Sequence, residues 1–250
     1  MQHPCRTRGA TEAPVGARSP PSTRAPTTRG ATTNGDERDK DVANAIRFAA
    51  DHGAHIISMS FGKPYSPEKA AVDAAVRYAD AQGVLIIHSA GNDAFDLDVI
   101  PNFPTPEYLD GGRAGNWIEV AASTEHVNED LAAEFSNYGR DRVDIFAPGV
   151  AIVSTKLGGG YEARSGTSQA APMVAGIAAM LMARDARLNA HDVIQILLAS
   201  ATRYPGLRVH RPGTDTGALV PFSSLSRSGG VVNAWRAARM LSGRATRRPR

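Results

Sequence analysis

Cysteine is almost absent from this 250-residue chain, with Cys5 the only one. That excludes an internal disulfide framework and any zinc site built on cysteine. Long apolar runs are missing too. The longest uncharged one, residues 170–183, is 14 residues, too short to cross a bilayer. No apolar stretch follows the first methionine, so no secretory signal is expected in this chain. Aromatics make up only 6%, and Gly 24 with Pro 16 stay far below a low-complexity composition. What remains, at 42% hydrophobic, suffices for one sizeable core and reads as a soluble globular domain.

The net charge of +3 is unevenly placed. Residues 1–35 hold five Arg against one Glu, and residues 236–250 hold six Arg and no acid, which leaves −7 on residues 36–235. A nucleic-acid enzyme needs its basic stripe on the fold itself, interleaved with aromatics. An acidic fold with basic ends argues against a nucleic-acid partner.

The first 35 residues, rich in Arg, Pro, Thr and Ala, show neither helical nor strand periodicity and read as a disordered basic tail. Order is expected from Asp36. Val42, Ala45, Ile46, Ala49 and Ala50 recur at helical spacing, and Gly53 ends that helix. A short buried strand follows over residues 55–60. Ser66-Pro67-Glu68 reads as the N-cap, first position and acidic first turn of a helix to Ala81. Val84-Leu85-Ile86-Ile87 forms a second buried strand. Strand, helix and strand with short links make a βαβ unit, hence a parallel sheet in an α/β fold. Further strands are expected at 117–122, 143–146 and 151–154, and helices at 168–184, 190–201 and 231–241. Residues 242–250 read as a basic C-terminal tail.

Chemistry concentrates in two places. Ser165-Gly166-Thr167-Ser168-Gln169-Ala170-Ala171-Pro172 leads into the apolar run, which sets Ser168 at a helix start where free N–H groups and the dipole favour negative charge. Pro172 is expected in the first turn, where a missing N–H costs little. The helix beyond is apolar on every side and is expected to be buried in mid-domain. The second place is Ser89-Ala90-Gly91-Asn92-Asp93, just past a parallel strand's C-terminal end, where open α/β sheets bind ligands. The Asn92 amide can donate to a developing oxyanion there.

These stretches resemble the subtilisin-like serine proteases. Gly166 to Pro172 is similar to that family's nucleophile motif G-T-S-x-A-x-P, and Ser89-Ala90-Gly91-Asn92 to its oxyanion Asn motif. Ser58-Met59-Ser60-Phe61-Gly62 resembles its substrate-pairing strand. Ala133-Glu134-Phe135-Ser136-Asn137-Tyr138-Gly139 and Ala147-Pro148-Gly149 resemble two markers expected between Asn and Ser. All five occur in the family's order, over residues 36–241. The resemblance implies a parallel-sheet, three-layer subtilisin-like fold, shortened at its N-terminal side. It implies a serine endopeptidase acting on a peptide or protein substrate, without a cofactor and without a membrane span. Ser168 would be the nucleophile and Asn92 the oxyanion donor. Ser60 and Gly62 would pair with substrate backbone, and Gly91 would wall the side-chain pocket. The family is mostly secreted or periplasmic.

Two parts of the pattern are missing. The D-[ST]-G motif of the family's catalytic Asp and the H-G-T-H-V-A-G motif of its catalytic His both precede the Asn motif in the family, and neither occurs ahead of Ser89 here. A serine hydroxyl is a poor nucleophile without an adjacent base. The chain as given is therefore expected to be inactive, and a non-catalytic peptide-binding role stands as the alternative. His88 is a candidate substitute base but reads better as a satisfied core residue. Asp93, Asp96 and Asp98 lack the Gly and final Glu of a calcium loop. An α/β-hydrolase elbow at Ser168, with Asp185, His191, Asp192 or His210 as partners, needs a strand directly before it. Residues 158–164 are a poor strand.

Overall fold

The computed structural model describes residues 37–214 and 219–245. The leader expected over residues 1–35 and the last five residues of the C-terminal tail lie outside the described residues. The described part opens with α1 (Asp39–Asp51), β1 (Ile56–Met59), α2 (Lys69–Ala81) and β2 (Leu85–Ser89). Next come β3 (Trp117–Ser123), β4 (Ile145–Pro148), a hairpin of β5 (Ile152–Thr155) and β6 (Tyr161–Arg164), and α3 (Thr167–Arg184). After α4 (Ala190–Ser200) follow β7 (Thr202–Arg203), β8 (Arg208–His210), β9 (Leu219–Pro221), β10 (Gly230–Val231) and α5 (Ala234–Ala245).

Among the described residues, six strands form one sheet in the order β1-β2-β3-β4-β10-β7. All neighbours are parallel except β7, which runs antiparallel to β10. Because strand side chains alternate faces, β2 feeds two cores. Leu85 and Ile87 point into a cluster with Ile118, Val120, Val174 of α3 and Leu197 of α4. Ile86 points the other way, into a cluster with Val42 and Ile46 of α1 and Val72 and Val76 of α2. The sheet is thus sandwiched by helices on both faces, the three-layer α/β arrangement expected.

Several local expectations need correction. Helix α2 begins at Lys69 without a side-chain cap, because the Ser66 hydroxyl donates to Asp39 instead. Residues 161–164 do form a strand, but it pairs with β5 in a separate two-stranded sheet, outside the parallel one. An elbow of the hydrolase kind is therefore still absent. Pro172 is the sixth residue of α3 rather than in its first turn. Helix α5 continues to Ala245, four residues into the expected tail.

The largest departure concerns α3 itself. Val174, Ala178 and Leu181 are fully or nearly buried against the sheet, but Met173 is 43% and Met180 58% exposed. Pro172, Gly176, Ala179 and Ala183 share that open face. No described element covers it. Beside it, β1 pairs with β2 alone among the described residues, which leaves a free sheet edge.

Asp39 ties the start of α1 to the loop after β1. Its carboxylate accepts from Lys63 Nζ at 2.7 Å, Ser66 Oγ at 2.8 Å and the Glu68 amide at 2.8 Å. Burial works against this carboxylate, but the bonds from Lys63, Glu68 and Ser66, with the Lys63 charge, hold its pKa below the usual value. A depressed carboxylate stabilises the fold above its unfolded pKa of about 4, and that gain is lost as pH falls through the folded value. Urea melts from pH 6 down to pH 2 should show a steeper acid loss for the unsubstituted chain than for Asp39→Asn. At neutral pH, Asp39→Ala should cost about 3 kcal/mol, because Lys63, only 8% exposed, would be left without its countercharge.

Candidate active site

The motifs singled out in the sequence converge at the C-terminal ends of the parallel strands. β1 runs out into Ser60-Phe61-Gly62, β2 into Ala90-Gly91-Asn92, and β4 ends at Pro148 before Gly149. The N-terminus of α3 faces them. Ser168 is its second residue, after Thr167 and the N-cap Gly166. No acid stands in the first turn of α3, so its positive end is free to meet a negative charge.

Ser168 and Ser60 bond reciprocally. Ser168 Oγ donates to the Ser60 carbonyl at 3.2 Å, and Ser60 Oγ donates to the Ser168 carbonyl at 3.0 Å. The second bond has a cause in the sequence. Pro172 has no N–H to offer the carbonyl four residues earlier, which is that of Ser168. The proline therefore frees an acceptor inside the helix, and the Ser60 hydroxyl takes it.

Asn92 is held by Thr167. Its Oδ1 accepts from the Thr167 amide at 2.8 Å and the Thr167 hydroxyl at 3.0 Å, while that hydroxyl accepts from the Gly91 amide at 3.1 Å. With Oδ1 so occupied, Nδ2 faces away from Thr167. A Cβ built on Gly166 would lie 3.6 Å from both Asn92 Nδ2 and the Ser168 amide nitrogen. Two donors therefore border one space in front of Gly166, whose φ of 155° suits glycine. The Gln169 Oε1 lies 2.7 Å from the same point, on a flexible side chain that can swing aside.

The remaining two motifs brace this arrangement. Asn137, fully buried, accepts on Oδ1 from the amides of Asp93 at 3.0 Å and Phe95 at 2.8 Å, and donates from Nδ2 to the Ala90 carbonyl at 2.8 Å. Gly149 accepts from the Gly166 amide at 2.8 Å, and a Cβ on it would crowd Ala122 and the Gly166 carbonyl. Both residues lay in recognised motifs, yet spacing alone gave no reason for their identity.

Asn102 is the residue the sequence did not reveal. A Cβ on Gly62 would overlap its amide, and a Cβ on Gly91 would lie 2.9 Å from its Nδ2, with the Asn137 amide closer still. Asn102 also donates to the Ala90 carbonyl at 3.0 Å. It thus fills the gap between the two glycine walls. It sits in an irregular stretch without periodicity, and only its place beside Pro101 and Phe103-Pro104 hinted at a fixed loop. A cleft of about 510 Å³ is lined by Asp130, Glu134, Phe135, Val150, His210 and Arg211. It adjoins the Asn92 loop through the bond from the Ala94 amide to the Phe135 carbonyl, 3.0 Å.

The other candidates fall elsewhere. His88 is fully buried and both ring nitrogens are engaged, Nδ1 with Glu119 and Nε2 with the Phe61 carbonyl, so it is not bonded to Ser168. Asp98 receives the backbone amides of Asp141 and Arg142, and its own amide is held by Asp96. Asp185 pairs with Arg187, Asp192 caps α4 and His210 bonds Asp130. Among the described residues no His, Asp or Glu side chain is bonded to Ser168 Oγ, and no helix is long and apolar enough to cross a membrane.

A sequence model of the subtilase family matches residues 9–219. The chain belongs to the subtilase family. The match begins inside the stretch read above as a tail. Among curated subtilases and serine proteases, the thermophilic serine proteinase of Bacillus sp. strain AK1 is 38% identical over 161 residues, covering 64% of this chain and 36% of that protein. Subtilisin-like protease 5 of Trichophyton tonsurans is 34% identical over 186 residues, 73% of this chain and 42% of that one. Among solved structures, the prenylagaramide maturation protease PagA superposes with a TM-score of 0.64 at 27% identity, covering 84% of this chain and 69% of that one. The protease domain of PatA, as its S218A mutant, gives 0.63 at 28% identity, covering 83% and 66%. This subtilase chain spans well under half the length of those curated relatives.

Proposed function

We infer that this chain carries the nucleophile and oxyanion half of a serine endopeptidase site, with Ser168 as nucleophile. The observation that carries the reading is the shared space in front of Gly166, bordered by Asn92 Nδ2 and the Ser168 amide. In the reaction, Ser168 Oγ bonds to a peptide carbonyl carbon, and the oxygen charge that develops is taken by those two donors. The hydroxyl proton leaves to a base and is delivered to the departing amine, and water then releases the acyl group. Ser60 and Gly62 pair with the peptide backbone as an added strand. Gly91 and Asn102 bound the pocket for the side chain before the scissile bond, a narrow one with an amide at its floor. The cleft at Phe135 and Val150 takes the chain beyond that bond. An exported setting, as for most of the family, belongs to the same reading.

The base is what the described residues do not supply. Loss of the base from a triad of this kind lowers kcat by about 10⁶, so the chain alone should not turn over peptide at a useful rate. Ser168 Oγ donating to Ser60, with no base beside it, supports the second reading, a module that pairs with peptides without cutting them. Purified chain should give no peptidase turnover, and a fluorophosphonate probe should label Ser168 only slowly. Turnover abolished by Ser168→Ala would overturn the inactivity. Labelling at a residue other than Ser168 would overturn the site.

A further inference from the structure

The buried imidazole of His88 has no part in the reaction above, and its partners lead to the peptide-pairing edge. His88 lies on the α1–α2 face of β2, with no solvent exposure. Its Nδ1 meets Glu119 Oε1 at 2.8 Å, and its Nε2 meets the Phe61 carbonyl at 2.7 Å. Glu119 Oε2 in turn accepts from Trp117 Nε1 at 2.8 Å, and the Trp117 ring lies 5.3 Å from the imidazole. The Glu119 amide donates to Asp144, which Arg113 and Arg227 clamp from the other side. A carbonyl oxygen can only accept, so Nε2 carries the hydrogen in this contact. Every polar atom of the imidazole is used.

What this does follows from strand geometry. In an extended chain the N–H and C=O of one residue point to one side, and those of the next residue to the other. Phe61 and Lys63 therefore share one edge, and Ser60 and Gly62 the opposite one. The Phe61 edge is tied down at two points: His88 holds the Phe61 carbonyl, and Lys63 exchanges both backbone bonds with Phe103, at 2.9 and 2.8 Å. The other edge presents the Gly62 N–H and C=O, which have no partner among the described residues, and the Ser60 carbonyl that meets Ser168. Without the imidazole, the half-buried Phe61 carbonyl would turn toward water and rotate Gly62 with it.

We propose that His88 is a positioning residue for peptide binding, holding the Phe61 carbonyl from behind so that Gly62 faces the substrate. Glu119 and Trp117 fix the ring that does so. This rests on the reading of Ser60–Gly62 as a peptide-pairing edge, and the test separates the two. The ¹⁵N-labelled full chain is titrated with a blocked tetra-alanine peptide while the Gly62 amide is followed by NMR. Two variants bury the same amide but reach different partners. His88→Gln extends far enough to donate to Phe61, whereas His88→Asn reaches only Glu119. Peptide binding within about threefold of the unsubstituted chain is expected for His88→Gln, and weakening of at least about tenfold for His88→Asn. Equal affinity in the two variants would overturn the role of His88. In the unsubstituted chain labelled with both ¹³C and ¹⁵N, a scalar coupling across the bond from Nε2 to the Phe61 carbonyl carbon is also expected. An Nε2 without hydrogen would overturn the proposal even if the Asn variant fails to fold. A Gly62 amide that no peptide concentration moves would instead overturn the pairing reading itself.

Discussion

Asn137→Ala should cost about 2–5 kcal/mol, a large share of the 5–15 kcal/mol that holds an ordinary domain together. The side chain is fully buried and serves three backbone groups. Truncation would leave the Asp93 and Phe95 amides without their acceptor, at about 1–3 kcal/mol for each orphaned group. The third group, the Ala90 carbonyl, would keep its bond from Asn102. The comparison variant follows from that redundancy. Asn102→Ala removes a second donor from a carbonyl that Asn137 still serves, so it should cost less than about 1 kcal/mol. Urea unfolding of the two variants side by side measures the contrast. Equal stabilities would mean that water reaches the Asp93 and Phe95 amides and that Asn137 does not set the Gly91–Phe95 turn.

The second large effect concerns association. At micromolar concentrations the chain should self-associate through the open face of α3 and the free edge of β1. Fully burying a methionine is worth about 1.5–3 kcal/mol, so Met173 and Met180, each about half exposed, stand to gain about 1 kcal/mol apiece in any contact that covers them. The small residues between them let another surface approach closely, and an unpaired edge accepts a strand. Charging that face with Met173→Glu and Met180→Lys should shift the chain toward monomer in sedimentation velocity and leave its melting point unchanged. Val174→Lys, one position away but with no exposure, should unfold it. A concentration-independent monomer in the unsubstituted chain would refute the expectation.

The parts of the site legible in the sequence were those in which a residue type is required by its own backbone. Gly166, Ser168 and Asn92 sit where a strand or helix ends, and local patterning locates such ends. The two strands and two helices at the start of the fold were readable because their apolar spacing reports the face each buries. Ser66 failed as a cap for a different reason. A hydroxyl ahead of a helix looks the same whether it bonds its own N–H groups or a carboxylate 27 residues away, as it does here.

The sequence by itself determined the parallel α/β class, the helix that carries Ser168 and the loop that carries Asn92, because each depends on spacing within short stretches of chain. Only the tertiary structure decided what those residues do to one another. The Thr167 bond that turns Asn92, the Ser60 hydroxyl that takes the acceptor freed by Pro172, and the Asn102 amide between Gly62 and Gly91 all join distant segments. It also decided that, among the described residues, α3 is covered on one side and open on the other. Uniform apolarity records that a surface avoids water, and says nothing of whether a partner is present to cover it.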